Sequence, residues 1–174
     1  MKTGDSIKED LVRAEGYRDI RPTGLLARIY MVLFNRGVRS IALYRLTHRF
    51  YNKNRPLYLF FQILNSLFSP IDISPGAEIE EGLSFPHALG IVIGDCKIGK
   101  NAFIYQNVTI GLKSKIGESP TIGDNVHIGA GANILGNIKI GSNSIIGANA
   151  VVITDIPENS IAVGIPAKVK KLKS

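Results

Sequence analysis

Val92 to Val152 reads VIGDCKIGKNAFIYQNVTIGLKSKIGESPTIGDNVHIGAGANILGNIKIGSNSIIGANAVV, with an aliphatic residue at every sixth position. The column is Val92, Ile98, Ile104, Ile110, Ile116, Ile122, Ile128, Ile134, Ile140, Ile146 and Val152. Four residues after most of these stands a second small or aliphatic side chain (Ala102, Val108, Val126, Ala132, Ile138, Ala150), and a glycine often follows directly, as at Gly99, Gly111, Gly123 and Gly129. A helix returns its apolar face about every 3.6 residues and a half-buried strand about every 2. A fixed period of six with Gly/Asn-rich gaps therefore predicts short strands joined by tight turns and stacked as parallel coils, the hexapeptide β-helix. Each coil has too little apolar surface to fold alone, and stacking merges the Ile and Val columns into one core. A plain sandwich of short strands would show breaks at about 8 to 12 residues and no fixed phase. Spacing alone leaves the hand of the coil open.

Upstream, Ile73, Ile79 and Phe85 carry the same rhythm, but Phe85 to Val92 is seven residues, so the extra residue falls around Pro86-His87-Ala88-Leu89-Gly90. A single insertion in a strict repeat is where a solenoid turns a loop outward, which makes His87 the first candidate base. Further upstream, Leu25 to Asn35, Ile41 to Asn52 and Leu57 to Leu67 have apolar spacing compatible with three short helices, separated by Arg36-Gly37 and by Asn54-Arg55-Pro56. The most apolar of them, residues 56–68, is too short for a bilayer core that needs about 20 residues. Downstream, the rhythm stops after Val152, Asp155 to Ser160 reads as a turn, and the chain ends in a basic tail with Lys168, Lys170, Lys171 and Lys173. The expected organisation is a helical segment 1–70, a repeat 71–160 and a tail 161–174.

The net charge of +7 lies wholly in the first part: residues 1–70 hold 12 Lys/Arg against 5 Asp/Glu, and residues 71–174 hold nine of each. From Arg21 to Ile71 there are eight basic residues, no acidic one, and many interleaved aromatics. Such a surface faces anions, namely nucleic acid, anionic lipid or a phosphorylated carrier, or else it is an amphipathic cap with solvated arginines. No nucleic-acid-binding motif accompanies the charge, so no nucleic-acid partner is expected. The single cysteine, Cys96, excludes an internal disulfide and reads as a small core residue. Met1 to Ile20 is polar and charged, without a secretory signal, and a cytoplasmic setting is expected, with contact at the inner membrane surface as an option. The three histidines, His48, His87 and His127, include no closely spaced pair, and His48 lies outside the repeat, so no metal is expected. His127 reads as an outward turn residue.

Residues 71–168 resemble the serine O-acetyltransferases. The likeness is carried by Asp72-Ile73-Ser74-Pro75-Gly76-Ala77, Pro86-His87-Ala88-Leu89-Gly90-Ile91-Val92-Ile93-Gly94, Gln106-Asn107-Val108-Thr109-Ile110-Gly111, the stretch Ile128 to Ile138, and Val163-Gly164-Ile165-Pro166-Ala167-Lys168. Tyr44-Arg45-Leu46-Thr47-His48 is similar to a helical segment before that family's repeat. The resemblance implies a left-handed parallel β-helix that assembles as a homotrimer, larger if the helical segment also associates, with acetyl-CoA bound between subunits. It implies His87 as general base and Asp72 as the carboxylate that orients its imidazole. It also implies cofactor contact at Gly111, Ala130 and Ala148, small residues that let the pantetheine arm approach, and the basic tail with Lys168 and Lys170 is the expected electrostatic partner of the CoA phosphates by its charge.

The chain departs from that family where an acceptor would be held. Pro86 stands where the family has Asp before the catalytic His, and Glu118-Ser119 stand before Pro120 where it has an Arg-His pair. Arg21 to Ile71 supplies no acid for an ammonium group either. Bidentate Arg is hard to replace as a carboxylate partner. These departures lead to the expectation of a sugar hydroxyl in surface polysaccharide synthesis, with serine as the alternative acceptor and a non-catalytic hexapeptide scaffold as the alternative of another class.

Overall fold

The computed structural model describes residues 6–11, 25–112 and 119–171. Among the described residues four helices come first: α1 (6–11), α2 (Leu25–Phe34), α3 (Arg36–Phe50) and α4 (Arg55–Phe68). The strands follow as β1 (Ile71–Ile73), β2 (Glu78–Ile79), β3 (Ile91–Ile93), β4 (Lys97–Ile98), β5 (Phe103–Ile104), β6 (Thr109–Gly111), β7 (Thr121–Ile122), β8 (His127–Ile128), β9 (Asn133–Leu135), β10 (Lys139–Ile140), β11 (Ile145–Ile146), β12 (Val151–Val152), β13 (Ser160–Val163) and β14 (Lys168–Lys171).

The strands build three sheets, ordered β1-β3-β6-β9-β12, β10-β7-β4-β2 and β14-β13-β11-β8-β5. Every pairing is parallel except that of β13 with β14. The chain visits the three sheets in turn, with Ser84 in the first coil and Ile156 in the last making isolated bridges where a strand would stand. Column residues stack directly, with Ile104 on Ile128, Ile110 on Ile134 and Ile128 on Ile146. All of these are fully buried. The companion column of Cys96, Ala102, Val108, Val126, Ala132 and Ala150 is buried beside them.

Among the described residues the strict register fails at Val92. Val92 is 44 % exposed, whereas Ile91 and Ile93 are each 1 % exposed. β3 has three residues, all aliphatic, and its pleat turns Ile91 and Ile93 inward and Val92 outward. Ser84 pairs with Phe103 and Ile93 with Ile110, so the column residue is Ile93, and Phe85 to Ile93 spans eight residues where Ile104 to Ile110 spans six: the extra residues fall in the 86–90 turn, as expected. Ile116 lies outside the described residues, and β4 pairs directly with β7.

Asparagine sets one corner. Asn101, Asn125, Asn143 and Asn159 have φ of 57°, 54°, 57° and 53°, a left-handed conformation that Asn tolerates better than most side chains. Their amides form a ladder of hydrogen bonds at 3.2, 3.1 and 3.3 Å.

Helix α3 closes the open end of the first coil. Its Ile41 and Tyr44 join the repeat's core, and the Tyr44 hydroxyl donates to the Ala77 carbonyl at 2.6 Å. Arg45, 6 % exposed, pairs with Asp10 of α1 and donates to the Ile79 and Glu80 carbonyls. Arg39 donates to the carbonyls of Leu33 and Phe68 at 2.7 and 2.9 Å. Two of the basic residues are therefore structural ties between elements, and the acid that balances Arg45 comes from upstream of the acid-free stretch. The break expected at Arg36-Gly37 is instead the first turn of α3: Asn35 caps it, accepting from the Gly37 and Val38 amides at 3.0 and 3.2 Å. Among the described residues no helix is long and apolar enough to cross a membrane.

Candidate active site

His87 lies in the turn that carries the chain from the third sheet, where Ser84 bridges Phe103, into β3 of the first sheet. Its imidazole is exposed and 6.2 Å, centroid to centroid, from the Tyr105 ring of the next coil. Asp72 is the outward centre of β1, in register with Val92. The Gly90 amide donates to the Pro70 carbonyl at 3.2 Å, so the turn carrying His87 is tied to the residues that lead into β1. The two candidate residues thus belong to one corner of the first coil, and no hydrogen bond joins them among the described residues. The extra residues that single out His87 lie in this turn, between the Ser84–Phe103 bridge and the Ile93–Ile110 pair, and its standing rests on that insertion, on the family motif and on this corner.

The corner continues along the solenoid. The Leu89 carbonyl accepts from Asn107 N, Gln106 from Gly131 N, and Ala130 from Asn149 N, at 2.8 to 2.9 Å. Ala130 and Ala148 are therefore adjacent rungs on the edge that starts at the His87 turn. Gly129 makes this closeness possible, since a Cβ there would lie 2.6 Å from the Ala148 amide. Gly111 sits at the opposite end of the first sheet, where β6 ends, and a Cβ on it would meet nothing within 4 Å. Lys168 and Lys170 are exposed on β14, in register with Val163 and Ile161.

A cleft of about 360 Å³ lies between the 86–89 turn and the α2–α3 junction at Asn35, Arg36 and Gly37. Sequence reasoning missed this second wall, because α2 and α3 lie outside the repeat and Gly37 reads as a helix breaker. Glu118 is outside the described residues.

Of the other histidines, His48 Nδ1 lies 2.8 Å from the Pro75 carbonyl and His127 stacks on Phe103 at 5.2 Å. His127 is exposed, as expected, but it stands on strand β8 and not in a turn. Among the described residues no three His, Cys, Asp or Glu side chains are placed to share a metal ion. Burial pushes the Cys96 thiol up to about 12, which keeps it protonated and unreactive at neutral pH.

These features define a hexapeptide-repeat transferase. The family described as Bacterial transferase hexapeptide (six repeats) matches residues 119–154. The serine acetyltransferase of Bacillus pumilus (strain SAFR-032) is 39 % identical over 147 residues, 81 % of this chain and 67 % of that protein. Soybean serine acetyltransferase complexed with serine superposes with a TM-score of 0.84 at 37 % identity, covering 97 % of this chain and 69 % of that one. A serine acetyltransferase complex with CoA does so at 0.81 and 35 %, covering 97 % and 69 %. The chain spans about two thirds of the length of these relatives. It belongs to the serine acetyltransferase family, with that family's left-handed β-helix. It is an acetyl-CoA-dependent O-acetyltransferase.

Proposed function

We propose that the acceptor is free serine and that His87 is the general base. In this reading His87 takes the serine hydroxyl proton as that oxygen bonds to the thioester carbonyl carbon. The C–S bond then breaks, and the proton passes to the departing CoA thiolate. A hydroxyl is too weakly acidic to ionise unaided near neutral pH, so a positioned base is the group this chemistry most needs. Asp72 would hold the imidazole tautomer and stabilise the imidazolium. The edge bearing Ala130 and Ala148 would take the pantetheine arm, with Gly111 contributing from a neighbouring subunit of a homotrimer and Lys168 and Lys170 meeting the phosphates. Outward apolar Ile145 on the third sheet, 39 % exposed, supports such a subunit contact.

The observation that carries the serine reading is the likeness, over 97 % of the chain, to a structure holding serine. The sugar hydroxyl expected from Pro86 and Glu118-Ser119 has no such support. Membrane approach also weakens, since Arg39 is tied to backbone carbonyls at the surface and Arg45 is paired in the interior. The test is thiol release from acetyl-CoA with serine and with sugar acceptors, for wild type and His87→Ala. Serine turnover that disappears in His87→Ala is the expected result. Efficient sugar acetylation without serine turnover would overturn it.

A further inference from the structure

We infer that Arg36 holds the acceptor's carboxylate and so selects a free hydroxy acid or amino acid over a neutral alcohol, an inference that rests on the serine reading above. Arg36 lines the same cleft as His87, and no carboxylate among the described residues lines it. Its side chain is exposed and makes no hydrogen bond or ion pair with any described residue, in contrast to Arg39 and Arg45, which are committed to carbonyls and to Asp10. An unengaged guanidinium beside the base matches a carboxylate, because its planar fork donates two parallel hydrogen bonds to the two oxygens.

The placement is built into the fold. A Cβ on Gly37 would lie 2.6 Å from the Phe85 carbonyl oxygen, so the first turn of α3 rests on the backbone two residues before His87 at a distance that only glycine allows. The Asn35 side chain fixes that turn by accepting from the Gly37 and Val38 amides. Arg36 stands between these two constraints, so the approach that seats α3 on the first coil also sets a cation in the lining of the cleft. A zwitterionic acceptor needs that cation: a carboxylate taken from water without a partner is costly.

The experiment measures binding of serine and of serinamide, which lacks the carboxylate, by calorimetry, with serine turnover followed in parallel. Arg36→Ala, Arg36→Lys and Lys53→Ala are compared with wild type. Lys53 lies beyond the far end of α3, which at about 1.5 Å per residue is roughly 22 Å long. Wild type and Lys53→Ala are expected to prefer serine. Arg36→Ala should weaken serine by about 10- to 100-fold and bring the ratio toward one, as loss of a charged hydrogen-bonded pair does. Arg36→Lys should keep part of the preference, since a point charge replaces the fork. A preference that survives in Arg36→Ala overturns the inference. So does equal weakening of both ligands, which is the signature of a displaced cleft, or a wild type with no preference. Serine binding that depends on Arg36 without serine turnover sinks the serine reading alone and leaves Arg36 as the carboxylate partner.

Discussion

Asp10 and Arg45, 35 residues apart, meet in a buried ion pair, with Arg45 Nε 3.0 Å from Asp10 Oδ2 and the second Asp10 oxygen accepting from the Leu83 amide at 2.9 Å. α1, α3 and the first coil are thereby locked to one another through a single carboxylate. Burial pushes that carboxyl up from its ordinary value, and Arg45 pulls it back. Arg45→Met removes the pull and leaves the burial, so the variant should lose about 3 to 5 kcal/mol. Its folded-state carboxyl, already raised by burial in the wild type, then binds a proton still more tightly than the unfolded one. Stability contributed by such a group is greatest below the unfolded value near 3.8 and is lost as pH rises above it. Chemical denaturation from pH 4 to pH 8 should show the deficit of Arg45→Met growing with pH, and Asp10→Asn/Arg45→Met should flatten it. A deficit independent of pH would refute the pairing argument.

How far such features can be read from sequence depends on the range of the interactions. The Ile104, Ile110, Ile128, Ile134 and Ile146 column was legible because a solenoid repeats the same local constraint in every coil. Val92 was not, because Ile91-Val92-Ile93 is aliphatic throughout and only the pleat decides which residue faces out. The role of Arg45 depends on Asp10, and the site wall at Arg36 and Gly37 depends on how α3 meets Phe85. Neither contact leaves a periodic trace. The motifs at Asp72 and His87 were readable as family residues, and the insertion in the His87 turn was legible in the spacing, although Ile93 and not Val92 carries the column there.

The asparagine ladder yields a second prediction. Asn125 has φ 54° and bonds Asn101 and Asn143 through its side chain. Asn125→Gly keeps the conformation and loses the bonds, whereas Asn125→Val loses both. The left-handed region costs a residue with a Cβ about 1 to 2 kcal/mol, so the Val variant should melt about 2 to 8 °C below the Gly variant. Equal melting temperatures would show that the corner relaxes out of its positive φ.

Cys96 provides a probe of the core. It is 5 % exposed, and its thiol is held well above its ordinary value of 9.0 by burial. Iodoacetamide at pH 8 should therefore modify it only at the rate of unfolding, and fast labelling under native conditions would contradict the buried placement. Above pH 9 the unfolded thiol ionises while the folded one keeps its proton. Stability should then fall by about 1.4 kcal/mol per pH unit from this group as pH rises from 9 toward 12, and Cys96→Ala should lack that component.

Ala148 tests the cofactor edge. A Trp there projects from the rung next to Ala130 into the edge that starts at the His87 turn. Ala148→Trp should raise KM for acetyl-CoA at least about tenfold, and Lys168→Ala should raise it with a smaller effect on kcat, as loss of ground-state binding does. An unchanged acetyl-CoA affinity in Ala148→Trp would place the groove elsewhere.

The last prediction separates the two members of the proposed dyad. His87 would transfer the proton itself, whereas Asp72 would act only through the imidazole, so their removal should differ in size and in kind. General-base catalysis contributes about 10² to 10⁴ in rate, and His87→Ala should lower kcat for thiol release by a factor in that range while leaving KM for acetyl-CoA nearly unchanged. Asp72→Asn keeps the shape of the side chain and removes the charge that would favour the imidazolium, so it should lower kcat less. Because the two residues would work as one unit, adding Asp72→Asn to His87→Ala should cost almost nothing further, which a double-mutant cycle on kcat measures directly. Additive losses would mean that Asp72 acts on something other than His87, and full activity in His87→Ala would remove the base from the mechanism.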